Sequence, residues 1–171
     1  MKKLYKRIEG ALHYHEAWVA GGVVTEHRGA VGERGSTRQS KVPPGTSEED
    51  AIAAVLGPAR DAGYAAVDMK DHARLIVEYK VNGFGTEVDL RKRYSLEEKL
   101  NQITGWTGLG HCDGGSIGSD TMEACCFVVD FEIAKRVVAD ALAMTPFADF
   151  TRIYDEDAEI RGPGSSGADR E

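Results

Sequence analysis

Residues 122–130, "MEACCFVVD", are apolar on both sides of an extended chain, and nothing else in the sequence constrains the fold as tightly. Successive side chains of a strand point to opposite faces, so Ala124, Cys126 and Val128 line one side and Cys125, Phe127 and Val129 the other. A strand of this kind belongs inside a sheet with both faces covered. Helices supply one cover. The second is expected from the N-terminal half of the chain, with a homodimer through that face as the alternative.

The segments around this strand define its unit. Leu75, Val77, Tyr79 and Val81 alternate with Ile76, Glu78 and Lys80, the pattern of a strand with one mostly polar face. Ser95 and Glu98 fit a capping box ahead of Leu96, Leu100 and Ile103, which share one helical face. After the apolar strand, Asp130 is placed to cap a helix that buries Ile133, Ala134, Val137, Val138, Ala141 and Leu142. "DFTRIYDE" then supplies a last strand. The order is β-α-β-β-α-β, that of the ferredoxin-like plait.

This order explains the glycine-rich stretch "GWTGLGHCDGGSIGSD", residues 105–120. It stands where the plait needs a hairpin, and Gly114, Gly115 and Gly118 suit a turn or bulge. A phosphate loop would instead deliver its amides at a helix N-terminus. Here a strand follows, and no lysine comes after the loop.

The first 42 residues read as four short strands: "KLYKRIE", "LHYHEAWVA", "VVTEHRG" and "TRQSKV". Leu12, Tyr14 and Trp18 share a face of the second, and Gly21-Gly22 makes the tight turn into the third. Pro43-Pro44-Gly45 breaks the chain. Thr46 and Glu49 fit a capping box for a helix whose apolar stripe is Ile52, Val55, Leu56 and Ala59, with Pro58 expected to kink or end it. The expectation is therefore an α+β protein: an antiparallel sheet plus helix over residues 1–70, packed against a ferredoxin-like unit over 71–160. The tail 161–171, "RGPGSSGADRE", is expected to be disordered.

Charge is divided unevenly. Residues 1–75 carry 11 Lys and Arg against 10 Asp and Glu, a balance of +1, whereas residues 76–171 carry 10 against 18, a balance of −8. The acidic half repels phosphate. The three cysteines, Cys112, Cys125 and Cys126, offer no disulfide framework and point to a reducing compartment. No apolar run reaches membrane-spanning length and the N-terminus lacks a signal-peptide core, so a cytoplasmic location is expected.

Part of the first half resembles the WGR domain, a small sheet-plus-helix module of some poly(ADP-ribose) polymerases and many bacterial proteins. The resemblance covers about residues 5–67 and rests on "RGAVGERGSTRQ", the capped helix "TSEEDAIAAVLGPARDAGY" and its ending Gly63-Tyr64. Such domains have a Trp-Gly-Arg-Val-Gly-x-x-Gly core. Aligned on Val31, Gly32 and Gly35, this chain keeps Gly29 but has Arg28 in the tryptophan position and Ala30 in the arginine position. In the polymerases that tryptophan and arginine help hold DNA, so the resemblance implies the fold and a structural use of the glycines. The second half looks like a bacterial domain with "GxCDGxxIGSGTM" before its central strand, here "GHCDGGSIGSDTME". Two-part proteins of this style resemble immunity proteins and antitoxins.

Several clusters have chemistry to weigh. His111, Cys112 and Asp113 are consecutive and so cannot readily converge on one ion; Asp113 is expected to cap its own turn. Cys112 beside His111 is the one nucleophile-base candidate, but such pairs normally meet from separate segments, and Ser116 and Ser119 have no evident base. His13 and His15 share a strand face, with His27 expected across from them as half-exposed sheet residues. Arg91-Lys92-Arg93 reads as a solvated turn before a helix. No cofactor or metal is expected.

The leading expectation is a non-catalytic interaction protein, immunity-like or antitoxin-like, that meets a basic protein partner through Asp113, Asp120 and Glu123 at the hairpin and Asp155, Glu156 and Asp157 at the last strand. A nucleic-acid-binding protein that uses Arg28, Arg34, Arg38 and Lys41 is the alternative. A small enzyme or metal protein built on His111, Cys112 and Asp113 is the second.

Overall fold

The computed structural model describes residues 1–161, so the expected tail at 162–171 lies outside the described residues. The fold is α+β, with two antiparallel four-stranded sheets. The chain divides into two compact units. One comprises Met1–Asp71 with Gly105–Leu109, the other His72–Thr104 with the described residues from Gly110 onward.

In the first unit β1 (Lys2–Ile8), β2 (Ala11–Ala20), β3 (Val23–Ala30) and β4 (Ser36–Lys41) form a meander in chain order. Gly21 and Gly22 close the β2–β3 hairpin with φ of 57° and 74°, the pair of left-handed residues that matches strand twist. Helix α1 (Glu48–Asp61) lies on one face of this sheet. Its Ile52, Leu56 and Ala59 pack with Leu4, Ala17 and Val24, and Val55 joins from the edge. The N-cap is Ser47, one residue after the expected Thr46: its hydroxyl accepts from the Asp50 amide and donates to the Asp50 carboxylate. Pro58 does not end the helix. It stands three residues from the C-terminus, where only one intrahelical bond is lost and its carbonyl still accepts from Ala62.

The opposite face of the sheet buries Tyr14, which has no exposed surface. Gly29, Gly35 and Gly108 crowd around its ring and hydroxyl, and at Gly108 (φ 66°) a Cβ would collide with the ring itself. Gly108 belongs to the short segment Gly105–Leu109 that this unit includes. The Tyr5 hydroxyl donates to the Gly108 carbonyl at 3.0 Å, and the Gly32 amide to the Thr107 carbonyl at 2.8 Å.

In the second unit β5 (Ala73–Lys80), α2 (Glu87–Trp106, to its residue 104), β6 (Gly110–Gly118), β7 (Thr121–Val128), α3 (Phe131–Leu142) and β8 (Arg152–Asp155) follow the expected β-α-β-β-α-β order. The sheet order is β6-β7-β5-β8, all antiparallel, with the doubly apolar strand in the interior. Leu75, Val77, Tyr79, Met122, Ala124, Cys126 and Val128 share the core with Leu96, Leu100, Ala134, Val138 and Leu142. Asp130 caps α3 by accepting from the Ile133 amide, as expected.

Two local expectations are corrected. Helix α2 starts eight residues before Ser95, and its box is Thr86 with Asp89, each side chain bonded to the other's backbone amide. Arg91-Lys92-Arg93 is thus helical. Lys92 pairs with Asp149 and lies 4.4 Å from the Tyr79 ring centre, and Arg93 bonds the Gly115 carbonyl. The glycine-rich hairpin forms, but its two-residue turn is Ser119-Asp120, with φ of 51° and 67°. Of the two uses expected for the glycines, turn or bulge, the bulge is the one found: it lies between Cys112 and Gly115, with Gly114 at φ 105°. Beyond β8 the chain turns into a short helix, α4 (Glu156–Arg161). Among the described residues no helix is long and apolar enough to cross a membrane.

Candidate functional site

Strand register decides which side chains of the second unit face away from α2 and α3. Glu78 is opposite Glu123 and Arg152, Ile76 opposite Cys125 and Tyr154, and Phe127 opposite Arg74 and His111. Helix α4 lies beside β5 on this side, because Arg74 pairs with Glu156 at 2.8 Å and with Asp157. Arg152 reaches Glu78 at 2.8 Å and Glu159 at 2.6 Å, and its guanidinium sits 4.0 Å from the Tyr154 ring centre. The Tyr154 hydroxyl donates to Glu123 Oε1 at 3.1 Å, and the Ser116 hydroxyl to Glu123 Oε2 at 3.2 Å.

The described residues of this face carry five carboxylates, Glu78, Glu123, Glu156, Asp157 and Glu159, around the two guanidiniums of Arg74 and Arg152. The field is negative. Hydrogen bonding to Asp157 raises the Arg74 guanidinium further above its ordinary value, and bonding to Glu78 does the same for Arg152. Burial, then the Glu123 charge, pushes the Tyr154 phenol up to about 12. The outer carboxylates remain reachable, with the Glu156, Asp157 and Glu159 side chains 37%, 34% and 50% exposed.

The six acidic residues expected to meet a partner are therefore not equivalent. Glu123, Glu156 and Asp157 belong to this face. Asp120 accepts from the Gly83 amide at 2.7 Å, and Asp155 caps α4 by accepting from the Asp157 and Ala158 amides. Asp113 is exposed in the bulge of β6. Glu78, Glu159, Arg74 and Arg152 were not expected here. Alternation along β5 pointed to Glu78, but only the pairing of β5 with β8 brings Arg152 to it.

The first unit holds a different arrangement. Glu16 is directly opposite His27, so His27 lies on the Tyr14 and Trp18 face and not, as expected, with His13 and His15. His27 Nδ1 is 2.7 Å from Glu16 Oε1, while Nε2 is 2.8 Å from the Tyr14 hydroxyl and 2.7 Å from the Arg34 carbonyl. The Glu16 carboxylate and the Arg34 carbonyl thus flank the two ring nitrogens. The Tyr14 hydroxyl donates to the Glu33 carbonyl at 3.2 Å. Lys3 Nζ lies 3.0 Å from Glu16 Oε2. Burial, with the nearby Glu16 charge adding to it, drives the Tyr5 and Tyr14 phenols well above their ordinary range. On the α1 side, His15 is buried against Glu26 at 2.7 Å and is not half-exposed.

Above this network the Arg34 guanidinium stacks 5.4 Å from the ring centre of Trp106, which is 39% exposed and meets Trp18 edge-on at 6.2 Å. Of the four basic residues considered for nucleic acid, Arg28 and Arg38 share the α1 side of the sheet, Lys41 is on the other, and Arg34 is in the β3–β4 loop. All four are exposed. Among the described residues no group of three His, Cys, Asp or Glu side chains is arranged to hold a metal ion. His111 lies beside Phe127 on the sheet face away from α2 and α3, whereas Cys112 turns to the helix side.

Comparison with known proteins adds no relative: no family model, curated protein or solved structure matches the chain.

Proposed function

We propose that this chain is a cytoplasmic binding protein, and that the acidic sheet face of its second unit covers a basic protein partner in the manner of an immunity protein or antitoxin. One observation carries the proposal. Five carboxylates surround two arginines on a face walled by Tyr154 and Phe127, and the outermost carboxylates keep a third to a half of their surface in water. Such a face attracts lysine and arginine side chains at long range and offers aromatic edges at contact. Glu123 and Glu159 are the proposed contacts, with Glu156 and Asp157 beside them. Asp120 and Asp155 shape the turn and the helix start.

The test is capture from lysate of the source organism, after nuclease treatment and at two salt concentrations, with the native chain and a Glu123→Gln, Glu156→Gln, Glu159→Gln variant. A basic protein retained after nuclease, weakened by salt and lost with the folded variant supports the proposal. Salt-insensitive capture, or equal capture by the variant, counts against it.

Nucleic acid is the second reading, favoured by the exposed Trp106 ring under the Arg34 guanidinium. A cation on an indole is a platform on which a base can stack. Binding of a labelled single-stranded oligonucleotide that falls steeply with salt and is lost in Trp106→Ala would support it.

A further inference from the structure

Cys112 and Cys126 are direct cross-strand partners in β6 and β7. The Cys112 amide donates to the Asn101 side chain at 3.2 Å, and so points away from β7. That marks a non-hydrogen-bonded pair, the closer kind, with Cα atoms about 4.5 Å apart. Disulfides span Cα separations of about 4.4–6.8 Å, so the backbone already allows a bond. Both side chains are on the helix-facing side of the sheet. Cys125 points to the opposite face, opposite Ile76, and cannot compete for either. The bulge that begins after Cys112, with Gly114 at φ 105°, gives β6 local freedom to adjust.

We propose that Cys112 and Cys126 form a redox-responsive dithiol, with Cys112 as the thiol that peroxide oxidises first and Cys126 as its resolving partner. Cys112 is half-buried and reachable, whereas Cys126 has no exposed surface. Hydrogen bonding from Cys126 lowers the Cys112 thiol below its ordinary value and holds Cys126 protonated. Burial pushes Cys125 up to about 11. The Cys112 thiolate attacks one oxygen of hydrogen peroxide, breaking the O–O bond and giving Cys112 sulfenic acid and hydroxide, which takes up the proton that Cys112 released. The Cys126 sulfur then attacks the Cys112 sulfur. The S–O bond breaks and the hydroxyl leaves as water with the Cys126 proton. In total two thiols and one peroxide become one disulfide and two waters, with both sulfurs oxidised and peroxide reduced. A dithiol reductant reverses the bond by exchange.

The experiment exposes the purified full-length chain to hydrogen peroxide at neutral pH, then titrates free thiols and maps unreduced peptides. Free thiols are expected to fall from three to one, with one linked peptide pair containing Cys112 and Cys126, and reductant restores all three. Cys125→Ser should still form the bond, and folded Cys112→Ser should form none within the chain. A bond that includes Cys125 overturns the proposal, as does Cys112 sulfinic acid forming while Cys126 stays a thiol.

Discussion

His27 Nδ1 lies 2.7 Å from Glu16 Oε1, and the two residues are 1% and 3% exposed. A buried pair of this kind is worth little against an apolar replacement, yet breaking one side of it is costly. Glu16 also stands against Lys3, so its removal leaves that ammonium without its counter-charge and the buried His27 Nδ1 without its partner. Glu16→Ala is expected to lose about 3–5 kcal/mol of stability. Urea unfolding followed by tryptophan fluorescence measures the loss, and the surroundings of Trp18 and Trp106 should loosen with it. A loss below about 1 kcal/mol would mean that water enters and replaces the carboxylate.

Gly108→Ala tests the packing around Tyr14. The added methyl collides with the aromatic ring, and φ of 66° is costly for any residue with a Cβ. A loss of about 1–3 kcal/mol is expected, measured as a lower thermal midpoint. Gly21→Ala shares the positive φ but meets no atom, so it should cost less. Equal losses would assign the whole effect to backbone strain.

Tyr5, Tyr14 and Tyr79 have phenols raised chiefly by burial. A group raised in the folded state leaves stability intact below its unfolded value, near 10, and removes it as pH climbs toward the folded value. The protein should therefore unfold at alkaline pH. An absorbance titration should show fewer than the six tyrosines ionising near pH 10, with the remainder appearing together with loss of circular dichroism. Six independent ionisations near pH 10 would contradict the packing.

Thr86 and Asp89 make the α2 box testable at the other end of the scale. The Thr86 hydroxyl and amide hold the Asp89 carboxylate below its ordinary value of 3.8. A depressed carboxylate contributes stability above its unfolded value and loses it as pH falls through the folded one. The gap in thermal midpoint between native protein and Asp89→Asn should be full at pH 6 and shrink below about pH 3.8. Thr86→Ala should cost about 1 kcal/mol at neutral pH.

Much of the architecture could be read from local patterns. Alternation in "LHYHEAWVA" and the unbroken apolar run of "MEACCFVVD" identified strands, the Gly21-Gly22 pair identified a hairpin, and Asp130 identified a helix start. Each signal lies within a few residues and needs no partner elsewhere. The start of α2 was not legible for the same reason. Its first two turns expose Val88, Leu90 and Tyr94 and bury no apolar stripe, while Ser95 and Glu98 imitate a cap inside the helix.

The sequence by itself determined where chain direction changes and which side chains alternate, because steric preference and hydrophobic period act locally. Tertiary structure alone decided which charges meet. Arg152 and Glu78 are 74 residues apart, and Arg74 and Asp157 are 83 apart. Their pairing depends on strand order and on a one-residue choice of register, which also turned His27 away from His13 and His15 and onto Glu16. Charge carries no period, so a carboxylate reads the same in the sequence whether it faces water, an arginine or a backbone amide.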